Sequence, residues 1–533
     1  MGIRTLAAIV LSLIVVLVYQ HYFVKPLPPQ QAIEERTAVE SESRKVLSGT
    51  EILTETMLPR QEVMSGRDIT VEGAFYTATF TTVGGTLKSF KLKDYRKTLD
   101  KDSEPVELVN ISDGMGYPLI VTFPDSSISL PRDEIYEADK ESINLTRANN
   151  ARKLTFSRSY PEKMKIEKIF TFYPESKKYS VDLKVRVYNL SPRTLSEKAL
   201  LSWNQFVDPE AEISRYSHNG PISLVKNSIS REKAKKLGTK KFMGPDVSWG
   251  GFEGKYFIAS MIPQKPSLTS LVLSKDSRNL VSIGLEGPKI LIPPGQSGSF
   301  NYSFYIGPKD YNILKAEGFG LENAIDFGDW IKWLALPLLI ALKFLYHYIP
   351  NYGIAIILLT ILIKIAFWPL GNKSYRSMKQ MQNLQPVMLK LREKYKDDKT
   401  KLNQETMGLY KKHKVNPLGG CLPMLIQIPV FFGLYKTLLY SIELRHSPFF
   451  WWIQDLSAKD PYYITPIIMG GTMFLQQKMT PQMGDSMQQK MMLWMPVIFT
   501  FMFLNFPSGL VIYWLFNNIL SIGQQYYINK QPS

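Results

Sequence analysis

The chain of 533 residues contains one cysteine, Cys421, so it forms no intramolecular disulfide. That condition is compatible with any compartment. No G-x-x-x-x-G-K-[ST] segment occurs, so nothing in the sequence points to ATP hydrolysis by the chain itself. Histidine is scarce: there are 5 in all, and only His218 falls between residues 25 and 326. No A-x-A-like cleavage site follows the first apolar run. No inverted repeat of broken helices, the pattern of many solute transporters, is visible. Acidic residues are few in the C-terminal part: residues 327–533 hold 21 Lys/Arg against 9 Asp/Glu, whereas 25–326 hold 42 against 38. Most of the net +17 charge thus belongs to the C-terminal part, which suggests topology signals or an acidic partner such as RNA or anionic phospholipid.

What the chain does have is apolar sequence at its two ends. Residues 1–24 and 327–533 carry nearly all the long apolar runs. The run after Arg4, TLAAIVLSLIVVLVYQHYFV, reads as an uncleaved anchor (1–24) with a cytoplasmic N-terminus, a cleaved signal peptide being the alternative. Residues 25–66 begin KPLPPQQAIEERTAVESESRK and read as a flexible linker. Further spans are expected at 353–370, 420–440, 463–477, 491–506 and 508–527 within a core at 350–533. The polar segment 373–416 carries 12 Lys/Arg against 4 Asp/Glu, which assigns it to the cytoplasm. The loop 441–462, with 3 acids and 2 bases, suits the opposite side. Residues 327–349 are interrupted by Lys332, Pro337 and Lys343, while Trp330, Trp333 and Phe344 recur at helical spacing. They read as an amphipathic helix on the outer interface. Six spans with both termini in the cytoplasm result, and the insert 67–326 lies outside, in the periplasm of a two-membrane cell.

Residues 69–92, 164–187 and 267–306 alternate apolar and polar side chains, which predicts an antiparallel sandwich. His218 reads as a surface loop residue, and the insert as a structural or binding domain. In the segment 373–416, Met378, Met381, Leu384, Met388, Leu391 and Tyr395 fall near one helical face, and a second helix is expected from about 399 to 413. The pair forms a hairpin with a Met-rich seam. Its basic exterior, Lys390, Arg392, Lys394, Lys411 and Lys412, is a candidate contact for the ribosome, a targeting receptor or anionic phospholipid, a solvated topology signal being the alternative.

Two expected spans are short, with 15 and 16 residues, so they reach only about 22–24 Å against a hydrocarbon core near 30 Å. Polar residues recur within the spans: Thr360, Lys364, Gln427, Gln476, Gln477, Asn505, Asn517, Asn518, Ser521 and Gln524. An ammonium at a bilayer centre costs roughly 2.5–3.5 kcal/mol. Lys364 either snorkels to the cytoplasmic side or lines a wet cavity with the other polar groups. Phe431, Phe432, Met469, Met473, Phe499, Met502, Phe503 and Trp514 offer an apolar surface beside that cavity, or simply pack the helices.

The segments WPLGNKSYRSMKQMQNLQP, KVNPLGGCLPMLIQIPVFFGLY, LSAKDPYYITPIIMGGTMFLQQKM, MQQKMMLWMPVIFTFMFLNFPSGLVIYW and WGGFEGKYFIASMIP resemble the YidC family of bacterial membrane protein insertases. The resemblance runs essentially end to end and is tightest over 364–527. It implies a five-helix α-helical membrane core plus an N-terminal anchor helix, with the insert folded as a soluble all-β supersandwich similar to sugar mutarotase-like domains. It further implies a hydrophilic groove open to the cytoplasm and lipid. The groove carries a cation, usually arginine, at the position of Lys364, with Thr360 nearby, and Gln427 and Asn517 join them as groove candidates. The apolar slide maps to Phe431, Met469, Met502 and the pair Tyr513–Trp514, where two tyrosines are usual. Implied partners are nascent membrane proteins, the SecYEG translocon, the ribosome and targeting receptor, and anionic phospholipid. The core is expected to act as a monomer, without cofactor, metal or enzymatic activity. A small-solute transporter and a membrane-anchored sugar epimerase are the alternative readings.

Overall fold

The computed structural model describes residues 66–531 apart from 112–115, 127–133, 147, 149, 175–176, 208–217, 239, 329, 397, 414–421 and 481–485. The expected anchor and nearly all of the linker lie outside the described residues.

Period-two alternation carries the insert. In the strand Met164–Phe172 every second side chain is buried, from Met164 through Ile166 to Phe170 and Phe172. One nine-stranded sheet runs Ser228–Arg231, Gly220–Val225, Val247–Glu253, Phe257–Pro263, Ser297–Pro308, Ser180–Asn189, Met164–Phe172, Arg152–Tyr160, Glu137–Ala138. Two five-stranded sheets accompany it. One is built around Thr86–Arg96 and Tyr76–Thr81, the other around Leu280–Glu286 and Leu200–Phe206. Facing sheets meet through large side chains: Phe80 of the first small sheet lies 4.7 Å from Phe170 of the large one, ring centre to ring centre. At the second small sheet the approach is closer. A Cβ on Gly250 would stand 2.6 Å from Leu271 Cδ1, so a larger residue there would have to displace that side chain. This is the expected all-β supersandwich. His218, expected at the surface, is half-buried, with Nε2 3.0 Å from the Pro221 carbonyl oxygen.

Helices follow the last long strand. The first, α1 (Tyr311–Glu317), is capped by Asp310, whose carboxylate accepts from Asn312 N and Ile313 N. Next comes α2 (Lys332–Tyr348), with Trp333, Ile340 and Phe344 exposed on one side, Ala335, Leu338, Leu339 and Leu342 buried on the other, and exposed Trp330 in the turn before it. Then follow α3 (Tyr352–Ala366), α4 (Trp368–Lys394), α5 (Lys399–Lys412), α6 (Leu422–Tyr440), α7 (Ile464–Met479), α8 (Ser486–Phe503) and α9 (Ser508–Lys530). No single described helix is both long and apolar enough to cross a membrane, and α3 with α4 passes that test only as a pair bent by 66°. The helix within the span expected at 353–370 therefore ends at Ala366. Trp368 then opens a continuous helix that runs through the expected hairpin segment.

Charged side chains weld the sandwich to the helices. Lys343 of α2 bridges Asp310 at 3.0 Å and Glu443 of the following loop at 2.8 Å. Arg231 pairs with buried Glu253 at 2.6 Å and donates to the Ala324 carbonyl at 2.9 Å. Lys436 of α6 pairs with Asp326 at 3.2 Å.

One strand breaks its own pattern. Lys168 occupies an inward position, donates to the Gly84 carbonyl at 2.6 Å and lies 5.3 Å from the centre of the Tyr136 ring. Burial pushes its amine down from 10.5 to about 7. The folded domain thus favours the neutral amine, and the unfolded chain binds more protons between about pH 7 and 10.5. Stability from this group is lowest below that window and rises with pH through it. Thermal unfolding of the sandwich is expected to occur at higher temperature near pH 9.5 than near pH 7, and Lys168→Met to remove a part of that difference on the order of 1–3 kcal/mol. An unaltered pH dependence in Lys168→Met would show that the lysine is not its source.

Candidate substrate groove

The bend between α3 and α4 is local chemistry. Pro369 has no N–H to donate, so it breaks the hydrogen-bond ladder of α3 and is tolerated only in the first turn of a new helix. The chain turns at Phe367 (φ −93°, ψ 5°) and restarts at Trp368 with proline in its first turn. Lys364 sits in the last turn of α3, on the concave side of this elbow.

A polar face of α9 lines that concave side. Lys364 Nζ donates to Ser521 Oγ at 2.6 Å, and Ser521 Oγ donates to the Asn517 carbonyl at 2.7 Å. The Tyr375 hydroxyl of α4 pairs with the same serine side chain. One turn on, Gln524 Nε2 donates to the Trp368 carbonyl at 3.2 Å and to Asn372 Oδ1 at 2.9 Å, stapling the elbow. Glycine at 371 makes this approach possible, since a Cβ there would lie 2.7 Å from Gln524 Nε2. On the α7 side, Asn518 Nδ2 donates to Thr472 Oγ1 at 3.3 Å and Gln525 Nε2 to the Met479 carbonyl at 2.8 Å. Gln427 of α6 hydrogen-bonds the Tyr513 hydroxyl.

The expected groove residues therefore gather on and around α9, in unequal states. Lys364 and Gln427 are half-exposed, whereas Asn517 is buried. Thr360 is 1% exposed and donates to the Ile356 carbonyl of its own helix at 2.7 Å. Among the described residues Lys364 has no carboxylate partner within salt-bridge distance, and no three His, Cys, Asp or Glu side chains gather where they could hold a metal ion.

The expected slide divides. Trp514 stands edge-on to Phe431 at 4.9 Å, with Phe503 at 5.3 Å and Phe499 at 6.2 Å. With Met502 it forms a half-exposed apolar surface. Met469 is 0% and Tyr513 1% exposed, so both are packing residues in this structure. Successive helical residues point about 100° apart, and the pair Tyr513–Trp514 accordingly splits between interior and surface.

The hairpin seam is shorter than expected. Met381 and Leu384 of α4 meet Tyr410 of α5, but Met378 and Tyr375 pack on Ile528 of α9 instead. Lys379 Nζ donates to the Asn529 and Gln531 carbonyls at 3.1 and 2.6 Å, fastening the base of α4 to the end of α9. Lys390, Lys394, Lys411 and Lys412 are exposed and Arg392 half-exposed. Sequence reasoning misses Tyr375, Asn372, Thr472 and Gln525. The first two fall in or beside the stretch assigned to the cytoplasmic hairpin, although both lie within two turns of the Trp368–Pro369 break.

Comparison with known proteins bears on this arrangement. Residues 68–341 match the family described as the YidC periplasmic domain, and residues 344–533 the family described as the 60Kd inner membrane protein. The chain is 62% identical to the membrane protein insertase YidC of Syntrophus aciditrophicus, over 99% of both chains. The chain belongs to the YidC family. A second YidC, from Geobacter metallireducens, is 43% identical over 99% of this chain and 98% of its own. A solved active YidC insertase covers 87% of this chain and 93% of its own at 21% identity, with a TM-score of 0.38. Membership in YidC makes the chain a membrane protein insertase of the inner membrane with a periplasmic domain, a role that is not enzymatic.

Close packing between α7 and α8 backs the α9 wall. A Cβ on Gly470 would lie 2.0 Å from Thr500 Oγ1, whereas one on its neighbour Gly471 meets nothing within 4 Å. Gly470→Ala is expected to destabilise the core by about 1–3 kcal/mol, and Gly471→Ala to leave it within about 0.5 kcal/mol of the parent, in thermal unfolding in lipid nanodiscs. Equal effects at the two positions would contradict this packing.

Proposed function

We propose that the chain moves nascent membrane proteins into the inner membrane through a hydrophilic groove open to the cytoplasm, independently of ATP, alone or with the SecYEG translocon. The observation that carries this reading is the Lys364 ammonium. It is set in the last turn of an apolar helix, held by a hydroxyl on a polar helix face, and has no carboxylate within reach among the described residues. Such a cation attracts acidic or polar segments of a passing chain. At an effective dielectric near 20, a contact at about 4 Å gives about 4 kcal/mol before desolvation is subtracted. The apolar helix that follows then slides along Phe431, Met502 and Trp514 into lipid, and its transfer into hydrocarbon drives the step.

The length of α7 favours the same account. With 16 residues α7 reaches about 24 Å, and a bilayer matched to it is thinner than the usual ~30 Å, whereas the helix at the other span expected to be short, 491–506, has 18 residues. In this reading the five core spans are α3, α6, α7, α8 and α9, the sandwich is periplasmic, α2 lies on the outer interface and both termini are cytoplasmic. The basic exterior of α4 and α5 contacts the ribosome, a targeting receptor or anionic phospholipid. The core works as a monomer.

In reconstituted vesicles Lys364→Arg is expected to keep most insertion of clients with acidic or polar tails, and Lys364→Ala or Lys364→Glu to lower it about tenfold or more. Equal insertion by the three variants would remove the cation from the mechanism. Reversing Lys390, Lys394, Lys411 and Lys412 to glutamate is expected to weaken co-sedimentation with ribosomes and to flatten its salt dependence, by about 0.7–0.9 log unit for each phosphate no longer neutralised. An unchanged salt slope would release the hairpin from that role.

A further inference from the structure

Ser521 receives three polar groups from three places. Its Oγ accepts the Lys364 ammonium from α3 at 2.6 Å, donates to the Asn517 carbonyl of its own helix at 2.7 Å, and pairs with the Tyr375 hydroxyl of α4. A hydroxyl has one proton to give, and with that proton on the Asn517 carbonyl its oxygen is turned to receive the ammonium. The residue is buried, and it sits opposite the elbow that Gln524 staples one turn further along α9.

Lysine and arginine differ in what they require of such a partner. A guanidinium is a planar fork that brings its own bidentate geometry to a carboxylate. An ammonium on four flexible methylenes has no preferred direction and must be aimed by its surroundings. Lys364 lies in the last turn of α3, where a long side chain otherwise extends towards headgroups, and the short hydrogen bond to Ser521 opposes that excursion.

We propose that Ser521 is a positioning residue that holds the Lys364 ammonium against the α9 wall of the groove, where a client carboxylate meets it. The bond is neutral on the acceptor side, so an incoming carboxylate competes for the remaining N–H groups without displacing a resident ion. Tyr375 of α4 stands beside the same serine, so the cation's holder lies at the base of the hairpin helix. This inference rests on the groove reading above, and the experiment separates the two.

The full-length protein in vesicles is given one client in two forms, with an acidic tail and with the same tail carrying Asn and Gln in place of Asp and Glu. The readout is the ratio of acidic-tail to neutral-tail insertion. Ser521→Ala is expected to lower that ratio by about tenfold, the loss of one hydrogen bond to a charged group, and Ser521→Thr, which keeps the hydroxyl, to restore it. In a Lys364→Arg background, Ser521→Ala is expected to change the ratio by less than about twofold, because the fork needs no aiming. A ratio unaffected by Ser521→Ala, or an equal fall in both clients with Ser521→Ala, overturns the positioning role. So does a fall as large with arginine at 364 as with lysine. Lys364→Ala is measured alongside. If it leaves the ratio unaltered, the groove reading itself fails, whereas a loss with Lys364→Ala and none with Ser521→Ala fails this inference alone.

Discussion

An ammonium near the end of a short apolar helix has to be solvated by something other than acyl chains, and much of the core answers that requirement. The cost of leaving it in hydrocarbon is a few kcal/mol, comparable with a large share of a domain's net stability. Here Ser521 on the α9 face receives it, while the Asn517 carbonyl and Gln524 of the same face hold the serine and the elbow. That face requires α3 and α4 to lie against α9, which the Pro369 break and the glycine at 371 permit. Because α3 ends at Ala366, the cation is close to one end of the helix and not at its middle. A lysine can then be tolerated at a position whose hydropathy alone would reject it.

The opposite end of the core is organised differently. The loop 441–462 closes over the helix ends: Ser508 N donates to the Ala458 carbonyl at 2.7 Å, and Asn351 Nδ2 reaches the Phe449 carbonyl at 3.1 Å. Glu443 in that loop shares Lys343 with Asp310 of the sandwich, and Arg445 donates to the Lys97 carbonyl at 3.2 Å. These pairs are partly shielded, so removing one partner would leave the other charge poorly compensated. The sandwich, α2 and the loop are therefore joined at one end of the core, while the polar node lies at the other.

Much of this is legible in the chain itself. The charge asymmetry singles out the helical part, the alternation of 164–187 announces the sandwich, and Lys364, Asn517, Asn518, Ser521 and Gln524 stand out as polar letters in apolar runs. Other features are legible but overridden. Hydropathy carries the first core span through Pro369 to residue 370, although proline chemistry argues for a break there, and the break is what turns Tyr375 towards Ser521. Helical geometry already points Tyr513 and Trp514 about 100° apart, and Tyr513 is the buried one of the pair. Periodicity assigns Met378 to a seam, but a period names a face and not its partner, and the partner is Ile528, far along the chain. The inward register of Lys168 is visible in its own strand, where lysine interrupts a run of buried apolar positions.

The central claim is that position 364 faces hydrated space reachable from the cytoplasm while its neighbour faces lipid. It is tested most directly by thiol labelling in inverted membrane vesicles, with Cys421 first replaced by serine. Lys364→Cys and Ile365→Cys are compared with a membrane-impermeant maleimide; Ile365 is 61% exposed on the outside of the helix bundle. The account predicts rapid labelling at 364 and little at 365. Labelling at 364 no faster than at 365 would contradict it.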